Sequence, residues 1–334
     1  MIRLGIIHGG ISTEHEVSEM SSNSIIENLN KEKYEIHDIY ISEYGKWYEC
    51  KGKEKEEIRN LVWYLKELDV VFPILHGLGG EDGTIQGMME MLKIPYVGCG
   101  VLASSVGMDK VYTKIIFEKS GIPQTPYVYI KKKDDTYMII NQDFDEEELE
   151  MEKITLKLKF PIFVKPSNSG SSVGVKKATN NEELKMAIEY AGRYDCKILV
   201  EQGVEGREVE CAILDGNEIQ ASTVGEILSA EEFYSFDAKY NIPESRTVIP
   251  AKIEQEQIEE IRKLAVKAFK AIDGKGLARV DFFIEKETNK IFINEINTMP
   301  GFTKISMYPK LFEAVGMSYS ELLDRLIKNA LNKE

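Results

Sequence analysis

Apolar and polar positions along this chain fall into two rhythms. Residues 4–8 and 70–75 (VVFPIL) are short, wholly apolar runs, as expected of strands buried on both faces. Each runs into glycines and polar residues and then into a helix-like stretch, 20–29 after the first and 84–92 after the second, so both read as βα units. Residues 35–41, 47–48 and 94–98 read as further strands and 54–66 as a helix, with a domain boundary near Gly100. Beyond it, 103–119 reads as one helix and 131–153 as a charged surface connection leading into a helix start.

The second half alternates more regularly. Residues 160–166 form a strand ending beside Lys165, followed by a Ser/Gly loop and a strand at 173–177. A helix at 181–192 and strands at 197–202, 207–214 and 218–224 follow, the last two joined across Asp215-Gly216-Asn217. Residues 228–249 lack a regular pattern but hold Phe233, Tyr234, Phe236, Lys239 and Tyr240, which reads as a lid. Amphipathic helices are expected at 254–272 and 317–331.

Between those two helices, 279–284 and 291–296 are apolar-rich runs around a polar connection, a β-hairpin. Alternation puts Arg279 and Asp281 on one face of the first strand, and Glu295 and Asn297 on one face of the second. A turn near Thr288 would set Asp281 opposite Glu295 and Arg279 opposite Asn297. Two carboxylates and an amide oxygen are hard ligands of the kind Mg²⁺ takes together with substrate phosphates. A guanidinium beside them suits a phosphate or a developing oxyanion. A solvated surface hairpin is the alternative, at odds with the apolar flanks Val280, Phe282, Phe283, Ile293 and Ile296.

Two loops at strand ends carry further candidate chemistry: Glu14-His15-Glu16 after Gly9-Gly10, and His76-Gly77-Leu78-Gly79-Gly80-Glu81-Asp82. Open α/β sheets place ligands there, although His76 alone reads equally as a core or capping histidine. The loop of Ser167 to Gly174 offers N–H and hydroxyl donors to a phosphate, or is a hairpin tip. There is neither a G-x-G-x-x-G fingerprint nor a Walker A loop.

Composition narrows the class. The 334 residues favour two or three domains, and 43% apolar with 29% charged residues is ordinary for a globular protein. A formal net charge of −14 disfavours nucleic acid or an anionic membrane as partner. No signal-peptide core or membrane-length run is visible, and Cys50, Cys99, Cys196 and Cys211 have neither metal-like spacing nor a dense disulfide pattern. A reduced, cytoplasmic protein without structural zinc is the expectation.

Six motifs in one order, GGISTEHEVS, HGLGGEDGTIQG, GSSVGV, FYSFDAKY, ARVDFF and NEINTMPGFT, closely resemble the D-alanine–D-alanine ligases of the ATP-grasp superfamily, over Arg3 to about Leu331. The resemblance implies an α/β and α+β protein with a Rossmann-like N-terminal domain (1–100), a central ATP-grasp subdomain (101–201) and a C-terminal ATP-grasp domain (202–334). It implies ATP contacts from Lys110, Lys165, Ser171, Ser172, Glu201, Val204 and Glu208. Mg²⁺, typically two ions with Mn²⁺ as a substitute, would bind Asp281, Glu295 and Asn297. Arg279 and the Gly301 N–H would hold the oxyanion, and Glu14 the first substrate's ammonium with His76 close by. Lys239, Ser306 and the Met307 backbone would receive the second carboxylate, and Tyr240 with Glu14 and Ser171 would lock the lid. The substrates would be D-alanine and ATP, the assembly a homodimer and the product a peptidoglycan precursor. Tyr240 and Met307 favour D-alanine as nucleophile over D-lactate. A ligase using D-serine or D-lactate, an NAD-dependent oxidoreductase and a non-catalytic sensor are the competing readings.

Overall fold

A computed structural model describes residues 1–228 and 246–332. In its first sheet lie β1 (Ile2–Gly9), β2 (Tyr34–Ile41), β3 (Trp47–Lys51), β4 (Glu54–Glu57) and β5 (Val70–Pro73), in the order β4-β3-β2-β1-β5. β1 runs parallel to both β2 and β5 and is covered by α1 (His15–Asn28), which is why the apolar runs are continuous rather than alternating. Residues 54–66 are not one helix. Glu54 to Glu57 pair with β3 as a charged, exposed edge strand, which resists pairing with another chain. The helix starts only at α2 (Leu61–Lys66), where Asn60 accepts from Trp63 N at 3.2 Å. α3 (Thr84–Leu92) follows β5 as expected, but 94–98 contributes only a bridge from Tyr96 to Val71, since Pro95 has no N–H to give a ladder.

The stretch 103–119 is two helices, α4 (Val101–Met108) and α5 (Lys110–Lys119). Asp109 between them takes extended dihedrals, and its carboxylate caps α5 by accepting from Tyr112 N at 3.2 Å.

An antiparallel second sheet has the order β10-β9-β11-β6-β7-β8. Its strands are β6 (Tyr127–Lys133), β7 (Thr136–Ile140), β8 (Glu146–Glu148), β9 (Ile162–Pro166), β10 (Lys176–Ala178) and β11 (Lys197–Gln202). The expected connection at 131–153 is therefore mostly sheet. Its charge misleads because only one face is buried: Val128, Ile130 and Ile139 pack with α6 (Met151–Lys157) and α7 (Asn181–Ala191), leaving the lysines and glutamates to solvent.

The third sheet is also antiparallel, in the order β14-β13-β12-β15-β16. Its strands are β12 (Gly206–Leu214), β13 (Gln220–Leu228), β14 (Arg246–Val248), β15 (Leu277–Glu285) and β16 (Ile291–Asn297). α8 (Gln255–Ala271) covers one face, burying Ile261, Ala265, Ala268 and Phe269 with Val280, Phe282, Ile284, Ile293 and Ile296. The C-terminal α9 (Met307–Glu313) and α10 (Tyr319–Leu331) share one core with Leu4, Ile25, Val70, Phe72 and Phe302. This core ties the first sheet to the third and holds the β1 and β5 loops against the β15–β16 hairpin. Among the described residues no helix is long and apolar enough to cross a membrane.

Candidate active site

The hairpin has the expected register where it matters, by way of a bulge. Near the turn Phe282 faces Ile293 and Ile284 faces Ile291, whereas further along Asp281 faces Glu295 and Arg279 faces Asn297. Asn294 is thus the extra residue of a β-bulge. Without it, Asp281 would sit opposite Asn294, and Glu295 and Asn297 would turn toward α8. The sequence signature is the pair of polar residues in succession, Asn294-Glu295, inside an otherwise alternating strand.

β12 extends this face, since Glu210 pairs with Asp281 and Glu208 with Phe283. Glu210, Asp281 and Glu295 therefore form a row of carboxylates across three strands. Arg279 serves the row: Nε lies 2.8 Å from Asp281 Oδ1 and 3.1 Å from Glu210 Oε2, and Nη2 lies 2.7 Å from Asp281 Oδ2. Burial would lower the pKa of Arg279, but Asp281 and Glu210 reverse this and raise it well above its ordinary value. Asn297 Nδ2 donates to Asp281 Oδ2 at 3.1 Å, so a half-turn of that amide presents its oxygen to the same point. Two carboxylates and an amide oxygen on one face fit a hard divalent cation.

Facing this acidic surface is a basic one from the second sheet and α5. Glu201, almost fully buried, takes Lys114 Nζ at 3.0 Å and Thr125 Oγ1 at 3.1 Å on Oε2, and pairs with Lys165 through Oε1. Burial opposes the charge on Glu201, yet Lys114 and Lys165 bring its pKa down to about 2. Burial also opposes the charge on Lys165, but Glu201 beside it, with Glu295 and Glu208 opposite, holds its pKa up. For Lys114 burial wins, aided by the like charge of Lys165, and the pKa is lowered. Lys110 Nζ donates to Ser169 O at 2.6 Å, tying α5 to the Ser/Gly loop. Ser171 and Ser172 in that loop both have positive φ.

The β1 and β5 loops close the end of the cleft. Glu14 accepts a hydrogen bond from Ser171. A Cβ at Gly77 would come within 2.8 Å of Glu14 Oε2, and one at Gly170 within 2.5 Å, so both glycines are needed for the carboxylate to sit between the loops. His76 is buried, with Nδ1 donating to Met299 O at 3.1 Å, which leaves Nε2 to accept from Ser21 Oγ at 3.2 Å. Burial lowers its pKa, which favours the neutral ring. Glu81 Oε1 lies 4.0 Å from His76 Nδ1 and accepts from Gly77 N at 3.0 Å. Burial, reinforced by Glu14, raises the pKa of Glu81 to about 8. At the hairpin's far end Ser306 Oγ accepts from Thr303 N at 2.9 Å beside Gly301, while the Met307 side chain is buried in the core. Lys304 points away to Glu27 at 3.0 Å and does not line the cleft.

The cleft, about 270 Å³, is lined by Glu14, His76, Lys110, Lys165, Ser171, Ser172, Glu201, Val204, Glu208, Arg279, Asp281, Glu295, Asn297, Gly301, Ser306 and Met307. These are all the expected site residues except Lys239 and Tyr240, which with most of the expected lid lie outside the described residues. Glu81, named in the second glycine loop, was given no role there, and two residues went unrecognised in the sequence. Glu210 follows from alternation with Glu208. Lys114, one helical turn after Lys110, looks like a surface lysine until β11 buries it.

Comparison with known proteins assigns the chain as a whole. The family described as "D-ala D-ala ligase C-terminus" matches residues 116–328, and "D-ala D-ala ligase N-terminus" matches 3–64 and 59–99. A D-alanine–D-alanine ligase of Acetivibrio thermocellus is 49% identical over 369 aligned positions, covering 99% of this chain and 96% of that protein. The VanG D-Ala:D-Ser ligase of Enterococcus faecalis superposes with a TM-score of 0.86 at 34% identity, over 98% of this chain and 99% of that one. The D-alanine–D-alanine ligase of Bacillus anthracis complexed with ATP does so at 0.78 and 32%, over 99% and 98%. With both family halves matched and full-length relatives of this similarity, the chain belongs to the D-alanine–D-alanine ligase family and has its ATP-grasp fold.

Proposed function

We propose that this protein joins two D-alanines into D-alanyl-D-alanine for peptidoglycan, using ATP. The observation that carries the reading is the opposition, across one cleft, of a carboxylate row and a lysine-rich surface. A nucleoside triphosphate needs cations for its phosphates and oxygen ligands for its accompanying metal, and neither surface alone supplies both. In this reading Lys110, Lys165 and the Ser171-Ser172 loop receive the phosphates, Glu201 and the Val204 backbone the adenine, and Glu208 the ribose. Asp281, Glu295 and Asn297 would hold Mg²⁺, which when bound offsets phosphate charge.

A free carboxylate is a poor electrophile, so an oxygen of the first D-alanine's carboxylate bonds to the γ-phosphorus as the β–γ bridging bond breaks and ADP departs. The amine of the second D-alanine then attacks the acyl carbonyl, loses a proton, and phosphate leaves with its bonding pair. Arg279 and the Gly301 N–H hold the oxyanion of the tetrahedral intermediate. Glu14 takes the first ammonium, with His76 neutral beside it, and Ser306 and the Met307 backbone take the second carboxylate. Glu81, protonated near neutral pH, adds no second negative charge beside Glu14, so the pocket accepts a zwitterion rather than a cation.

ATP as co-substrate and four cysteines without a disulfide support a cytoplasmic location. Domain limits near residues 100 and 201 follow the three sheets in this reading.

Phosphate release from ATP and Mg²⁺ with D-alanine, D-serine, D-lactate or L-alanine, products separated by mass, tests the proposal. D-alanine-dependent release with D-alanyl-D-alanine as main product is expected. Similarity to a D-Ala:D-Ser ligase makes D-serine the competing second substrate, and a predominant D-alanyl-D-serine product would replace the proposal. No release with any of them would overturn it.

A further inference from the structure

On the first sheet, away from the cleft lining, a different set of ligands converges. Registers place Ile6 beside Asp38 and His8 beside Tyr40, and Asp38 beside Cys50 and Tyr40 beside Tyr48, so all six share one face. One donor atom each from His8, Asp38 and Cys50 lie within 4.8 Å of one another. His8 Nε2 is 2.7 Å from Asp38 Oδ1. That contact satisfies only one ring nitrogen: His8 Nδ1 is buried and makes no hydrogen bond among the described residues. We infer that His8, Asp38 and Cys50 form a second metal site, selective for a borderline-soft divalent cation of the Zn²⁺ class.

Imidazole, carboxylate and thiolate are the three ligand types that Zn²⁺ combines, at bond lengths that set tetrahedral donors roughly 3.3–3.8 Å apart. The His8–Asp38 pair has to open from 2.7 Å and the Cys50 sulfur to close by roughly 1–1.5 Å at most to meet that geometry. A thiolate distinguishes this site from the oxygen-only row in the cleft, because Mg²⁺ does not favour sulfur. The charged groups facing Cys50 are Asp38 and Glu49 on the sheet, Glu19 on α1 and Lys55 on β4, and Lys55 Nζ also lies 3.2 Å from the Tyr40 ring centroid. A solvent molecule would complete the tetrahedron. Binding displaces the Cys50 thiol proton to solvent, so affinity rises with pH. Cysteine spacing could not reveal this site, because its ligands come from three strands.

The test is titration of the full-length protein with Co²⁺, without nucleotide or Mg²⁺. We expect a thiolate-to-cobalt charge-transfer band saturating at about one equivalent, bleached by Zn²⁺, and lost in Cys50→Ser while retained in Cys196→Ser and Asp281→Asn. Asp38→Asn should keep the band but weaken binding by about tenfold or more. Zn²⁺ should also raise the Tm of the wild type and not of Cys50→Ser. A wild-type titration without the band, or a band that survives in folded Cys50→Ser, overturns the inference. If Cys50→Ser fails to fold, Asp38→Asn decides: wild-type affinity there overturns it too.

Discussion

The two walls of the cleft solve opposite charge problems. On the third sheet Asp281 and Glu210 pair with the guanidinium of Arg279, and Glu208 and Glu295 line the same wall. On the opposite side the proportion reverses: Lys165 of the second sheet and the buried Lys114 of α5 converge on the single carboxylate of Glu201, and Lys110 of α5 reaches the Ser/Gly loop. One wall is thus mostly acidic and the other mostly basic, in a low-dielectric setting where each charge needs a partner. In the proposed reading they make a cleft suited to a metal on one side and to phosphates on the other. In that reading the charges are in place before any ligand arrives, the preorganisation that catalysis by charge stabilisation requires.

Breaking the acidic wall should do the most damage. Arg279→Ala is expected to lower turnover by about 10²–10³, the usual cost of one oxyanion donor. It should also lower Tm, because Asp281 and Glu210 lose the guanidinium they share. Steady-state phosphate release and a melting curve check both, and near-normal turnover would remove Arg279 from the chemistry. Asp281→Asn should raise the Mg²⁺ concentration for half-maximal activity by about 10–100-fold. An unchanged Mg²⁺ titration would mean that the row is structural.

The basic wall should fail more gently and in a different parameter. Lys114→Met leaves Lys165 to hold Glu201 and to meet phosphate at once, so the KM for ATP should rise by about tenfold, or ~1.4 kcal/mol, with kcat little changed. A fall in kcat at constant KM would place Lys114 in the chemistry instead.

The smallest effect lies between the walls, at Glu81. Its folded pKa of about 8 lies above the ordinary carboxylate value. Folding is therefore unpenalised below the ordinary value and loses stability as pH rises toward about 8. Glu81→Gln should remove that loss, giving a Tm advantage on the order of 5 °C at pH 8.5 that vanishes near pH 4. Glu201 has the opposite sign, since its pKa is depressed to about 2, so its contribution is present above the ordinary carboxylate range and is lost on acidification. Parallel pH–Tm curves for wild type and Glu81→Gln would show that Glu81 ionises freely.

Local pattern and tertiary context divided the information unequally. The paired βα units, the antiparallel hairpin and the facing of Asp281 with Glu295 were legible because a strand's side-chain period is a property of consecutive residues. The strands at 127–148 and 54–57 were not, because an edge or one-sided strand exposes its charges and loses the apolar signal. Motif order brought the lining residues together, but only the fold shows that Glu81 is buried beside Glu14, which raises its pKa, and that Lys114 is a buried partner of Glu201.

By itself, then, the sequence determined which chemical groups this protein carries, on which face of which strand, and in which family's order. Tertiary structure alone decided their charge states, the bulge at Asn294 that aligns the carboxylate row, and the meeting of His8, Asp38 and Cys50. The physical reason is range: side-chain alternation acts between neighbours in the chain, whereas desolvation and Coulomb attraction act between groups that only packing brings together.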